Sequence, residues 1–164
     1  MKAKQVTFLG LSIALAMILS FVEHQIPALV AFPGIKVGLP NIVMVFLLYR
    51  VGWKETVIVS IIRIILVSML FGSPLSMMFS IAGAVLSLTG MILLKKLNLF
   101  SCIAVSITGG LLHNIGQIIA AIFVTGTQEI VSYLPFLLVS GTIAGTLIGI
   151  LGGMMVERMK KWKF

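Results

Sequence analysis

Apolar runs long enough to cross a bilayer occupy most of this sequence, and they constrain its fold more than any other feature. Charged residues make up only 10% of the 164 and mostly lie between these runs. A water-soluble domain needs more polar surface than a chain with 60% hydrophobic residues can supply. Hydrocarbon in turn admits only helices and closed barrels as spanning structures. The sequence therefore predicts an integral membrane protein.

Six apolar segments predict an all-α bundle of six transmembrane helices, which forms a single membrane domain over residues 1–164. A spanning helix needs about 20 residues, so six of them leave room only for short connections. The second segment is too short for a comfortable crossing, and the prolines and glycines before it predict an ordered loop that dips towards the bilayer. The segments are Val6–Val22, Val37–Tyr49, Thr56–Phe71, Leu75–Leu94, Ile103–Val124 and Tyr133–Val156.

The lysines and arginines are distributed very unequally among the connections. If the N-terminus is cytoplasmic, the outer connections hold only Lys36, and Arg63 lies within the membrane. Because cytoplasmic connections carry the excess of cations, we expect a cell-membrane protein with both termini in the cytoplasm. Cations that bracket apolar runs also argue against a nucleic-acid partner. The inner cations are Lys2, Lys4, Arg50, Lys54, Lys95, Lys96, Arg158, Lys160, Lys161 and Lys163.

The motifs of several enzyme classes are missing from the sequence. There is no GxxxxGK[ST] phosphate loop, no His/Cys metal spacing and no recognisable nucleophile–base pair. Cys102 is the only cysteine, and the chain contains no aspartate. We therefore expect a protein that is not an enzyme and that has no metal site and no cofactor.

Arg63 is predicted to lie near the middle of the third segment. An arginine at that depth costs at least about 3 kcal/mol, so it needs a reason to be there. One interpretation is an anchor that bonds to backbone carbonyls of a neighbouring helix. The other is a residue of a ligand site or transport pathway, which is the usual role of ionisable groups at membrane depth.

The stretch "GGLLHNIGQII" places three polar side chains inside an apolar run. On a helix, His113, Asn114 and Gln117 share one broad face, and towards lipid their donors would be unpaired. The face is therefore predicted to look into the bundle, either as packing residues or as the wall of a polar cavity beside Arg63. Glu23, His24, Lys36 and Asn41 are predicted at the outer entrance of the same bundle, with solvated loop residues as the alternative interpretation.

Glycines recur every four residues along the last segment, at positions 141, 145, 149 and 153. This spacing puts them on one helix face, where they permit close backbone contact. We interpret the face as a packing surface within one subunit, with a dimer interface as the alternative. Two further sets of small residues lie on the first helix, namely Gly10 with Ala14, and Ser12 with Ala16 and Ser20.

Together the segments "SFVEHQIP", "FPGIKVGLPNIV", "IIRIIL", "FGSPLSMMFSIAGAVLS", "GLLHNIGQ" and "YLPFLLVSGTIAGTLIG" resemble the Gx transporter family, also named heptaprenyl diphosphate synthase component I. That family in turn resembles the substrate-binding S-components of energy-coupling factor transporters, which are small six-helix membrane proteins. The resemblance implies a membrane coupling subunit with ATPases as partner. It also suggests Ala14 or Ala16 as the contact with that partner, with intramolecular packing as the alternative.

The sequence thus leads to one main hypothesis and two alternatives. The main hypothesis is a substrate-binding subunit of a transporter, with Arg63, His113, Asn114 and Gln117 around a small anionic molecule. The first alternative is a non-transporting membrane subunit of a flavin- or quinone-dependent redox assembly or of an isoprenoid assembly. The second is an accessory subunit of a prenyl diphosphate synthase, because a chain without aspartate lacks the carboxylates that hold Mg²⁺ in such catalysts.

The predicted orientation can be tested by cysteine labelling in intact cells, in a chain whose Cys102 is replaced by Ala. A membrane-impermeant maleimide added from outside is expected to label single cysteines at Gln25 or Gln128, but not at Asn98. Labelling at Asn98 from outside would contradict the orientation.

Overall fold

The computed structural model describes residues 3–25 and 38–161, and these residues form six α-helices and one 3₁₀ helix. The all-α fold class predicted from the sequence is confirmed. A 3₁₀ helix over Gln128–Tyr133 precedes the last α-helix. The α-helices are α1 (Ala3–Gln25), α2 (Asn41–Arg50), α3 (Trp53–Phe71), α4 (Pro74–Leu97), α5 (Cys102–Thr125) and α6 (Leu134–Arg158).

Four helical stretches within the described residues are long and apolar enough to cross a membrane, which marks the chain as a membrane protein. They are α1, α4, α5 and the continuous stretch Gln128–Arg158. The other two helices fall short for different reasons. At 1.5 Å per residue, the ten residues of α2 cover only about 15 Å, as the short second segment predicted. The 19-residue α3 has the length, but it carries Lys54, Glu55 and Arg63.

Capping interactions keep the connections between the helices short. At the start of α4, Ser73 Oγ accepts from Ser76 N while Ser76 Oγ accepts from Ser73 N, a reciprocal capping box. The helix ends at Asn98, whose φ of 54° is left-handed. Gly126, with φ of 67°, ends α5 in the same way. Each left-handed residue stops its helix and reverses the chain within a few residues.

Glycines bring α5 into backbone contact with both of its neighbours. A Cβ added to Gly116 would lie 2.6 Å from the carbonyl oxygen of Ala82 in α4. On the other side of α5, a Cβ on Gly110 would lie 2.6 Å from the carbonyl oxygen of Gly141 in α6. Only glycine permits such close contact between helix backbones. Close contact strengthens packing in lipid, where the hydrophobic effect does not drive helices together.

The glycine ridge of α6 faces α5 throughout its length. A Cβ on Gly145 or Gly149 would come within 2.7 Å of the Cα of Ile107 or Ile103, respectively. Gly153 lies beside Cys102 at the start of α5. The prediction that this ridge packs within one subunit is confirmed.

The other half of the bundle is built around α2. Residues Ile42–Leu48 of this helix are all buried and pack between α1, α3 and α6. At its C-terminal end, Arg50 Nη2 donates to the carbonyl oxygens of Met159 and Lys160, at 2.9 and 3.1 Å. Lys95 Nζ of α4 donates to the carbonyl oxygen of Leu48. These bonds gather the basic helix ends at one end of the bundle.

The glycine contacts generate a stability prediction. Gly145→Ala forces a methyl group against the backbone of α5, so we expect a loss of about 1–3 kcal/mol and a lower melting temperature in detergent. Gly10→Ala is the matched control, because nothing lies within 4 Å of a Cβ at that helical position. Equal melting temperatures for the two variants would contradict the packing role of the ridge.

Candidate functional site

A cavity lies between the α1–α2–α3 half and the α4–α5–α6 half of the bundle. It holds about 100 Å³ for the centres of water-sized molecules. The C-terminal end of α1 and the N-terminal end of α2 line it, together with the middle of α5 and α6, which places it away from the basic helix ends. Seven residues singled out in the sequence line this one cavity: Glu23, His24, Asn41, Arg63, His113, Asn114 and Gln117. The eighth, Lys36, lies outside the described residues.

Arg63 supplies the positive charge of the cavity wall. It lies eight residues before the end of α3, about 12 Å from that end along the helix. Its Nη1 donates to Ser20 Oγ over a long 3.4 Å, and its buried Nε has no hydrogen-bond partner among the described residues. In that part of the chain it also forms no salt bridge within 4 Å. Since a guanidinium carries five N–H donors, the described residues leave most of its bonding capacity unused.

Ser20 holds Arg63 from α1 and was not among the predicted site residues. It is buried, and its Oγ donates to the carbonyl oxygen of Ala16 at 2.8 Å while accepting from Arg63. The sequence could have predicted its position, because helical spacing puts Ser20 on the same face of α1 as Glu23 and His24. The serine therefore fixes the position of the guanidinium without neutralising it.

His113 and Asn114 are accommodated by glycines on the neighbouring helices. A Cβ on Gly83 of α4 would lie 2.8 Å from His113 Cε1 and 2.9 Å from its Nδ1, so the imidazole packs directly on this glycine. A Cβ on Gly141 of α6 would lie 2.7 Å from Asn114 Nδ2. That amide donates to the carbonyl oxygen of Leu137 at 2.5 Å. Asn114 therefore joins α5 to α6 as well as lining the cavity.

Gln117 stands one helical turn beyond His113 on the same face of α5. It is partly buried and lines the cavity, and its amide has no hydrogen-bond partner in the described part of the chain. The polar stripe of α5 is thus divided in function. Asn114 is bonded to the neighbouring helix, while Gln117 lies in the cavity wall without such a bond among the described residues.

The end of α1 and the turn before α2 line one end of the cavity. Glu23 accepts a hydrogen bond from the backbone N–H of Gly38 and attracts Arg63 through space. Gly38 has φ of 76°, and a Cβ there would lie 3.1 Å from Asn41 Nδ2, so this turn requires glycine. His24 Nδ1 lies 3.3 Å from the carbonyl oxygen of Ser20. Among the described residues, this end of the cavity therefore carries one carboxylate, that of Glu23, near Arg63.

The remaining lining residues are mostly apolar or small. Val45, Met91 and Ile148 line the cavity, and all three are buried core residues. Ser80 and Ser106 add hydroxyl groups from α4 and α5. The sequence pattern did not predict the apolar lining. On a helix, apolar residues that pack in the core and apolar residues that line a cavity recur at the same interval, so the sequence cannot distinguish them. Among the described residues, no group of three or more His, Cys, Asp or Glu side chains could hold a metal ion.

The two small-residue sets of α1 face in opposite directions. Ser12, Ala16 and Ser20 are buried, with Ala16 0% exposed in a core cluster with α2 and α3. The prediction of Ala16 as a partner contact is therefore wrong for this structure, because the bundle itself covers that residue. Ala14 and Gly10 are exposed on the outer side of α1. A partner contact at Ala14 stays a prediction.

The comparison with known proteins gives a family. No curated protein and no solved structure matches the chain at a significant level. The family model described as heptaprenyl diphosphate synthase component I matches residues 12–155, a range that contains all seven cavity residues. The resemblance to S-components stays a prediction, whereas the family predicted from the sequence is confirmed. This chain belongs to the heptaprenyl diphosphate synthase component I family.

Proposed function

We propose that this protein is the substrate-binding membrane subunit of a transporter, with a small anionic metabolite or vitamin-like molecule as its ligand. The observation that carries the proposal is the state of Arg63. This guanidinium lies within a membrane bundle, and among the described residues its buried Nε is unpartnered and its one hydrogen bond is 3.4 Å long. Those residues do not supply the partners that normally stabilise a buried charge. An anion in the adjacent cavity would supply them.

The alternative interpretation of Arg63 as a packing anchor accounts less well for its contacts. An anchor would bond its guanidinium to backbone carbonyls, yet among the described residues the hydrogen bond of Arg63 goes to a serine hydroxyl. Glu23 attracts the arginine but forms no salt bridge with it within 4 Å. A carboxylate or phosphate can accept two parallel bonds from one guanidinium, which fits its unused donors.

The shape and lining of the cavity narrow the ligand class. With about 100 Å³ open to water-sized molecules, the cavity has room for several waters or for a small organic molecule. Arg63 and Gln117 would bind the polar part of the ligand. Val45, Met91 and Ile148 would pack against an apolar part, in the usual manner of sites with a few polar groups in an apolar wall.

Transport would need an energy source outside this chain, because its sequence has no phosphate loop. We propose a cell-membrane location with both termini in the cytoplasm and a coupling subunit with ATPases as partner, in line with the S-component resemblance. The exposed small pair Gly10 and Ala14 on α1 is the proposed contact, since small residues let a second membrane helix approach closely. Binding without catalysis is proposed, so the chain is not expected to be an enzyme.

The family description favours a second candidate, a membrane component of a prenyl diphosphate synthase. In that case a separate partner would supply catalysis, because this chain has no aspartate with which to hold Mg²⁺ and diphosphate. Native mass spectrometry of the gently purified protein separates the two candidates. A bound water-soluble anion supports the transporter subunit, and a bound polyprenyl chain supports the second candidate. A bound quinone would instead support a membrane subunit of a redox assembly.

Arg63→Leu is expected to weaken binding of the molecule so identified more than any other single change in the cavity. Losing a charge-assisted contact in a dry site costs about 2–5 kcal/mol, or about 30-fold to several-thousand-fold in affinity. Gln117→Leu removes a neutral contact and should cost about 1–3 kcal/mol. The measurements are ligand titrations of each purified variant, with thermal stability followed separately.

Arg158→Leu is the control for Arg63→Leu, because it removes an exposed arginine at the far end of α6. This variant should bind the ligand as wild type does. If Arg63→Leu and Gln117→Leu instead kept wild-type affinity and only melted earlier, the polar stripe would be structural and the proposal would fail.

Ala14→Leu should abolish co-purification with a coupling subunit while the chain stays folded, because the larger side chain blocks close helix approach. Thr142→Leu is the control, since it enlarges an exposed small residue on the outer side of α6. Ala16→Leu would overpack the core and unfold the protein, so it gives no information on partners. Unchanged co-purification of Ala14→Leu would rule out this contact.

A further inference from the structure

A cluster of cations around one tryptophan lies at the basic end of the bundle, remote from the cavity. Trp53 begins α3 and is 47% exposed. Lys54 Nζ lies 5.7 Å from the centre of its ring, and Lys96 Nζ at the end of α4 lies 5.9 Å from the same point. Two helices thus bring two ammonium groups within 12 Å of each other around one indole.

Neither of these two lysines has a counter-ion in the described part of the chain, where the one salt bridge joins Lys160 to Glu157. Glu55 is the nearest acid in sequence, but its carboxylate is turned towards Gly52, where a Cβ would lie 2.6 Å from Oε2. Lys95 is already engaged, because it donates to Leu48 and lies 5.4 Å from the ring of Tyr49. The cluster is therefore a positive site that the described residues do not neutralise through an ion pair.

Exposed apolar residues lie one helical turn deeper than each lysine. Ile58 follows Lys54 by four residues on α3 and is 47% exposed. Leu93 precedes Lys96 by three residues on α4, which runs in the opposite direction, and is 57% exposed. Each ammonium group thus has an apolar surface directly below it on the same helix face. A free inorganic anion has no apolar part that could contact these surfaces.

We propose that Trp53, Lys54 and Lys96 form a binding site for the phosphate of an anionic glycerophospholipid. The two ammonium groups pair with the phosphate, which relieves their mutual repulsion. The indole lies at the level of the glycerol backbone, where tryptophan is enriched at membrane interfaces. The acyl chains run along Ile58 and Leu93. Basic sites between membrane helices are a known mode of lipid headgroup recognition.

The site can be tested by fluorescence quenching in phosphatidylcholine vesicles. In a Trp162→Phe background, Trp53 is the only tryptophan. Either phosphatidylglycerol or a matched part of the phosphatidylcholine carries dibrominated acyl chains, which quench a tryptophan in contact. Brominated phosphatidylglycerol should quench Trp53 more strongly than brominated phosphatidylcholine does. The difference should correspond to a local enrichment of phosphatidylglycerol of about fivefold for each lysine. Equal quenching by the two brominated lipids would overturn the proposal.

Matched double variants separate a site from a general charge effect. Lys54→Gln with Lys96→Gln should bring the quenching by the two lipids close to equality. Lys4→Gln with Lys161→Gln removes the same charge from exposed positions and should keep the preference. Equal loss in both would mean a diffuse charge effect and would overturn the site. Displacement by millimolar inorganic phosphate would mean a soluble anion site and would overturn the assignment to lipid.

Discussion

Backbone contact between α5 and its two neighbours is the interaction on which the rest of this structure depends. In lipid, apolar side chains gain little by leaving one hydrocarbon surface for another, so helices associate through close packing and interhelical hydrogen bonds. Gly116 admits the backbone of α4, and the glycines at 110 and 141 admit that of α6. The Asn114 amide bonded to Leu137 locks the second contact. These contacts hold the polar stripe of α5 inside the bundle, where its donors avoid lipid.

The cavity follows from the different packing of the two halves. On one side α4, α5 and α6 pack through glycine, and on the other α2 packs between α1 and α3 through larger apolar side chains. Arg63 reaches the space between these halves from α3, and Ser20 holds it there from α1. Among the described residues this guanidinium makes one long hydrogen bond and no salt bridge. A structural ion network would pair a buried charge more completely.

The opposite ends of the bundle differ in chemistry. Towards one end lies the cavity, where Glu23 is bonded to Gly38. The other gathers the basic helix ends, where Arg50 ties α2 to the end of α6 and Lys95 ties α4 to α2. Lys54 and Lys96 lie beside Trp53 and form no salt bridge with an acid in the described part of the chain. The short α2 joins the two ends, because its first residues lie at the cavity and its last ones at the basic end.

The sequence by itself determined the fold class, the six helices, the shortness of α2 and the inward polar face of α5, because hydrocarbon tolerates few alternatives for apolar runs and unpaired donors. It also identified the α6 glycines as a packing face. Tertiary structure alone decided that Ala16 is buried while Ala14 is exposed, that Asn114 is bonded while Gln117 is not, and that Ser20 holds Arg63. Helical periodicity reports which residues share a face, but only the neighbouring helices determine what that face contacts.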